Sequence, residues 1–117
     1  MPYLDFALAK TIGSEQEELL KAEAARIMQR YAGKSENWLY VRIAGGQSLF
    51  FQGKRVEQGG VVQIQLVGSL AGSQKKEIIT EIGRVLESQL GIPKDQVYIV
   101  FTEVKGENWG WNGQAFG

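Results

Sequence analysis

The sequence predicts an α/β (α+β) fold in which two βαβ units form one four-stranded mixed sheet, with two helices on one face. Three observations predict it. Runs of alternating or continuous apolar residues mark strands near the start, the middle and the end of the chain. Two stretches carry apolar residues at three- and four-residue spacing, the period of an amphipathic helix. The order strand, helix, strand occurs twice, and 117 residues suit a single core. The chain therefore reads as one domain, 1–117, with a pseudo-repeat of 2–44 and 60–104.

Residues 2–9 alternate as a strand, with Leu4, Phe6 and Leu8 on one side and Tyr3, Asp5 and Ala7 on the other. Thr11, Ile12 and Gly13 break the pattern. Ser14 with Glu17 three residues on reads as a capping box opening a helix. Its stripe is Leu20, Ala24, Ile27 and Tyr31, and Gly33 closes it in a left-handed conformation. Residues 38–43 read as a second strand and 47–51 as a short third one. The second half then repeats the order. Residues 61–67 form a strand, and Ser73 is expected to cap a helix carrying Ile79, Ile82, Leu86 and Leu90, broadened by Ile78 and Val85. Gly91 ends it, residues 92–95 turn, and 96–104 make the last strand. Superposing Gly13 and Ser14 on Gly72 and Ser73 brings Gly33 within one residue of Gly91. Each unit is long enough for a right-handed crossover between parallel strands.

The sheet face away from the helices presents a problem. Residues 61–67 and 97–101 carry apolar groups on both sides, as sheets covered twice do. Only two helices are available, so other copies of the chain are expected to cover the second face.

Composition narrows the chemistry. There is no cysteine and no histidine, which excludes disulfides, thiol nucleophiles, thiolate or imidazole metal ligation and histidine-based triads. Thirteen basic residues balance thirteen acidic ones, so nothing marks nucleic acid or an anionic membrane as a partner. No window approaches the ~20 apolar residues of a membrane span, and the N-terminus lacks a signal-peptide pattern; a cytoplasmic location is the expectation. No phosphate loop or dinucleotide fingerprint is present. Asp5, Glu57, Glu103 and Glu107 have no spacing that demands a metal, so none is expected.

An acid–base group acting near neutral pH must then be a shifted carboxylate, a shifted lysine or the chain's own amine. Pro2 is the candidate. A small second residue favours removal of Met1, after which proline presents a rigid secondary amine. Burial and a neighbouring cation both disfavour its charged form. If Met1 stays attached, that nitrogen is an amide without a basic lone pair. Lys34 follows Gly33, where most lysines merely complement the helix dipole. Trp38, Tyr98, Trp109, Trp111 and Phe116 gather near strand starts or in the last ten residues. Two indoles within the Gly- and Asn-rich stretch 107–113 suit a pocket wall or a subunit contact better than a core.

These residues carry a resemblance. Pro2, the paired βαβ units, Gly33-Lys34, the run Gly91-Ile92-Pro93-Lys94-Asp95-Gln96-Val97-Tyr98-Ile99 and the ending Trp109-Gly110-Trp111-Asn112-Gly113-Gln114-Ala115-Phe116 resemble the macrophage migration inhibitory factor family of the tautomerase superfamily. The likeness runs over the whole chain. It implies a homotrimer with pockets at subunit boundaries, short extra strands at the contacts, and a cofactor-free keto–enol tautomerase acting on phenylpyruvate-like 2-oxo acids. Pro2 then falls on the acid–base catalyst. Lys34 and the backbone amide of Val67 fall on the groups that hold the substrate carboxylate, and Tyr98 on a tyrosine given by the adjoining subunit. Trp38, Trp111 and Phe116 match the aromatic wall, while Trp109 replaces a smaller apolar residue and narrows the mouth. Val100 stands where the family's best-known member has an asparagine that bonds hydroxylated aromatic substrates, which argues against a strong preference for them. The CxxC linked to a thiol-oxidoreductase activity is missing. Two alternatives stay open. One is a dehalogenase or decarboxylase of the same superfamily, for which Arg42 and Arg55 are the only spare arginines; the other is a non-catalytic, cytokine-like trimeric interaction protein.

Overall fold

A computed structural model describes all of residues 1–117. In chain order the elements are β1 (Pro2–Leu8), α1 (Ser14–Ala32), β2 (Tyr40–Ala44), β3 (Phe50–Phe51), β4 (Lys54–Arg55), β5 (Gly60–Val67), α2 (Gly72–Leu90), β6 (Val97–Val104), β7 (Gly110–Trp111) and β8 (Gln114–Ala115). The main sheet runs β2-β1-β5-β6. β1 and β2 are parallel, β5 and β6 are parallel, and β1 joins the halves by pairing antiparallel with β5. The expected mixed four-stranded sheet with two helices is what the chain forms.

The strands are held by their alternation. Leu4, Phe6 and Leu8 of β1 and Val62, Ile64 and Leu66 of β5 turn inward and are buried. They meet Leu20, Ala24, Ile27 and Met28 of α1 and Ile78, Ile82, Val85, Leu86 and Leu90 of α2 in one core. The stripe of α2 is centred on Ile78 rather than Ile79, which is 41% exposed. The helix-free face is less uniformly apolar than the sequence suggests: Val61, Gln63, Gln65 and Val67 of β5 all point away from the core. No helix is long and apolar enough to cross a membrane.

Several boundaries differ from expectation for local reasons. Ser14 is already helical, and Gly13, in an extended conformation, is the N-cap. The Gly13 N–H donates to Gln16 Oε1 at 3.1 Å, so Glu17 is not the capping partner. In the second helix Ala71, not Ser73, is the N-cap, and its N–H donates to Gln74 Oε1 at 2.8 Å. Both helices thus use a glutamine reaching back three residues to an orphan donor. Gly33 and Gly91 close them at φ 65° and 69°, the left-handed region that glycine enters without strain. Trp38 lies in a 3₁₀ turn, Glu36–Trp38, and the second strand starts at Tyr40.

The stretch expected as a short third strand folds into a hairpin, β3 with β4, with Gln52 and Gly53 at positive φ in its turn. Asn112 and Gly113 do the same between β7 and β8. Paired positive φ values match the type I′ geometry that follows the twist of tight hairpins. The internal likeness of the halves therefore extends beyond the βαβ units into their tails.

Candidate active site

Topology decides where a site can form. β1 and β2 are parallel and start at the same end of the sheet, while β5 and β6 run the other way and finish there. The 3₁₀ turn before β2 and the segment after β6 therefore fold over the start of β1. Between them lies a cavity of about 520 Å³ whose lining includes Pro2, Tyr3, Trp38, Tyr40, Gln65, Trp109 and Trp111. Met1, Asn37, Leu39, Asn108 and Gly110 complete it.

Its wall is aromatic. The Trp38 and Trp111 rings meet edge to face, centroids 4.9 Å apart at 83°, the arrangement that ring quadrupoles favour. Tyr3 and Tyr40 meet the same way across the β1–β2 pair, at 6.2 Å and 74°. Trp38 is 46% exposed and Trp111 53%, so these rings face the cavity and solvent rather than the core.

The electrostatics come from the end of α1. The Lys34 N–H donates to the Met28 carbonyl at 3.1 Å, part of the left-handed closure at Gly33 that aims the chain toward the start of β1. Lys34 is half-buried and forms no salt bridge. The chain's terminal amine, here on Met1, is pushed below its usual value, first by burial and second by the Lys34 charge. Val67 ends β5 on the same side, and its N–H donates to the Met1 carbonyl at 3.4 Å.

The segment after Val67 is pinned. The Gly68 N–H donates to the Val104 carbonyl at 2.9 Å, with Gly68 at φ 92°. Glu103 accepts from Lys75 Nζ and from the Leu70 N–H, both at 2.6 Å. The Lys75 hydrogen bond first, then the Leu70 N–H, holds its carboxyl below the usual carboxylate range.

Within one chain the structure brings together Pro2, Trp38, Trp109 and Trp111, with Lys34 and Val67 close enough to act on Met1. It does not bring in Tyr98, Val100 or Phe116. Tyr98 pairs with Val61 at the far end of the sheet, whereas Pro2 pairs with Leu66. Tyr98 packs on Phe51 at 5.4 Å and lines a second, smaller cleft of about 140 Å³ with Gly60. Phe116 is held by its N–H on the Gly106 and Trp109 carbonyls, outside the cavity lining. Arg42 is tied to Asp5 across β1 and β2 at 2.8 Å. Sequence reasoning missed Tyr40 and Gln65. The internal repeat was the available signal for Tyr40, since it places that residue opposite Tyr98.

Comparison with known proteins gives the family. The family model for macrophage migration inhibitory factor (MIF) matches residues 1–117. The chain belongs to the MIF family. It is 28% identical over 116 residues to the macrophage migration inhibitory factor homolog of Trichuris trichiura, covering 99% of this chain and 100% of that one. Leishmania major MIF2 superposes with a TM-score of 0.88 at 24% identity, over 99% of this chain and 97% of that one. A fused 4-OT protein solved as an asymmetric trimer superposes at 0.86 and 15% identity, over 97% of this MIF-family chain and 94% of that one. The last two likenesses establish the fold alone.

Proposed function

We propose that this MIF-family protein is a cofactor-free keto–enol tautomerase of phenylpyruvate-like 2-oxo acids, with the freed amine of Pro2 as acid–base catalyst. The observation that carries the reading is the position of Pro2 in an aromatic cavity, beside a terminal amine whose charged form is disfavoured by burial and by Lys34. In this proposal the two influences carry over to the nitrogen one residue further in, once Met1 is removed. A neutral secondary amine takes a proton from C3 of the oxo acid, and the C2 oxygen gains one, giving the enol; the reverse sequence gives the ketone. No other atom is exchanged. Positioning a base against its carbon contributes several kcal/mol, and acid–base transfer itself typically ~10²–10⁴-fold.

Lys34 and the Val67 amide hold the carboxylate, and Trp38, Trp109 and Trp111 hold the ring. Three chains assemble so that Tyr98 and Val100, exposed on the helix-free face of one protomer, reach the cavity of the next. Phe116 extends the aromatic wall from the chain's end. Val100 offers no partner to a substrate hydroxyl, and leaving one unpaired costs roughly 1–3 kcal/mol; phenylpyruvate is therefore not disfavoured against its hydroxylated analogue. The pairing of Arg42 with Asp5 removes one of the two arginines that a dehalogenase-like reading requires.

The test is ultraviolet measurement of phenylpyruvate ketonisation by protein whose N-terminal proline is verified by mass. Pro2→Ala is expected to lower kcat/KM by about 10² or more. Equal rates would remove the proline mechanism, and no turnover by processed wild type would favour a non-catalytic role.

A further inference from the structure

Three carboxamides line the cavity, those of Asn37, Gln65 and Asn108. Asn37 and Asn108 are exposed and sit in the 3₁₀ turns Glu36–Trp38 and Gly106–Asn108. Gln65 differs from both. It is half-buried and belongs to β5, an inner strand of the main sheet. Its side chain nevertheless forms no hydrogen bond within the chain. A carboxamide carries two donors and an acceptor, and one fixed on a strand yet unpaired in a cavity is available to whatever the cavity holds. We propose that Gln65 recognises the C2 oxygen of the 2-oxo acid and holds it while it becomes the enol oxygen. The inference rests on the tautomerase reading, and it gives the cavity a group that separates 2-oxo acids from acids without that oxygen.

Strand register suits Gln65 to this task. Side chains alternate along β5, so Gln65 and Val67 share the helix-free face while Leu66 between them is buried. Two residues of strand span about 6.6 Å, and Val67 carries the amide assigned to the carboxylate. On β1, Pro2 faces Leu66 and Tyr3 faces Gln65. Gln65 is thus one register step from the proposed base and two residues from the carboxylate amide. C2 is bonded to the carboxylate carbon, so its oxygen falls between these positions, within reach of a long side chain. The cavity's phenols are less well placed: Tyr3 packs edge-on against Tyr40, on the side of β1 away from β5. As Pro2 takes the C3 proton, the C3–H pair becomes the C2–C3 double bond and the carbonyl π pair moves onto the C2 oxygen. A Gln65 N–H donates to that oxygen, and the hydrogen bond tightens as negative charge grows there. A carboxamide is too weak an acid to give up its proton, so Gln65 only holds the oxygen. The proton that the oxygen gains is the one Pro2 has taken.

The experiment separates recognition from turnover with two inert probes, on protein whose N-terminal proline is free. 3-Methyl-2-oxo-3-phenylbutanoate has the oxo group but no hydrogen on C3, so it cannot enolise; 3-methyl-3-phenylbutanoate lacks the oxo group. Wild type is expected to bind the oxo probe roughly tenfold more tightly than the other. Gln65→Leu is expected to bind the two alike, holding the oxo-free probe as wild type does. With phenylpyruvate, Gln65→Leu should lower kcat about tenfold to a hundredfold, and Gln65→Glu, equal in size but without the donor, should share the loss. A preference that survives in both variants, an equal loss of both probes in both, or a wild type that binds neither probe or prefers neither would each overturn the proposal. Unchanged ketonisation by both variants would overturn it too, while leaving the tautomerase reading in place. An oxo preference that depends on Gln65, in a chain that fails to ketonise phenylpyruvate, would uphold the recognition and remove the tautomerase reading instead.

Discussion

Lys34 shows how one side chain can serve two purposes. Its charge opposes protonation of the terminal amine at the start of β1, and the proposed function adds attraction of the substrate carboxylate. Lys34→Ala therefore carries two expectations that separate in kinetics. KM for phenylpyruvate rises about tenfold, as expected for loss of a charged hydrogen-bond partner. The acidic limb of kcat/KM moves to higher pH, because without the neighbouring cation the amine holds its proton longer and the basic form appears later. A rise in KM with an unmoved limb would show that Lys34 binds substrate but does not tune the base. At this scale much was readable. Pro2 stood out as a rigid amine and the indoles at Trp109 and Trp111 as more than a small core needs, whereas the role of Lys34 came from the resemblance; Pro2, Trp38, Trp109 and Trp111 line one cavity. Tyr40 was not legible from its local sequence, since an aromatic residue starting a strand looks like any other, and only the internal repeat marked it; it is 77% exposed and lines the cavity just after the 3₁₀ turn. Tyr98 is assigned to another subunit's site by resemblance alone; in the single chain it is 60% exposed and lies away from the cavity, at the opposite end of the sheet.

At the scale of elements, the helix stripes and glycine ends were legible because their period and backbone requirement are written locally. The helix starts were not. Ser14 and Ser73 have the usual capping chemistry, yet the glutamines at Gln16 and Gln74 reach back to Gly13 and Ala71 instead. The choice depends on where the incoming chain leaves the sheet, which no local pattern records. Strand packing gives a sharper expectation. A Cβ at Gly60 would lie 2.7 Å from Leu8 Cδ2 and 2.8 Å from the Ala7 carbonyl oxygen. The Leu8 side chain can shift, but the carbonyl belongs to the β1–β5 ladder and cannot move without breaking it. Gly60→Ala should destabilise the fold by ~1–3 kcal/mol, the usual cost of overpacking, seen as a lower urea midpoint at unchanged slope. A change within ~0.5 kcal/mol, the range of neutral surface substitutions, would mean that the ladder has slack there.

The whole molecule is a pair of similar halves whose ends differ. Ser14–Ala32 maps onto Gly72–Leu90, Pro2–Leu8 onto the start of Gly60–Val67, and each half finishes in a hairpin. The cleft at Gly60 and Tyr98 is the counterpart of the cavity at Pro2 and Tyr40, so one chain carries a larger cavity with a proline and a smaller one without. The sequence implied that the helix-free face needs a cover, though glutamines on β5 make that face more mixed than expected. Tyr40, Phe50, Tyr98 and Val100 are exposed there and around its ends, and large exposed aromatics are the usual mark of an association surface. A homotrimer is expected, with a sedimentation mass three times that of the 13.0 kDa chain and a thermal midpoint that rises with protein concentration. A monomeric mass at the concentration of full activity would contradict the assembly.

The claim on which the rest depends is that a neutral proline nitrogen is the base. The most direct measurement is NMR titration of processed protein carrying isotope-labelled Pro2, run beside the pH dependence of phenylpyruvate ketonisation. The nitrogen is expected to be largely unprotonated at neutral pH, and its titration to coincide with the acidic limb of kcat/KM. A nitrogen that keeps its proton well above neutrality while turnover is already maximal would contradict the account.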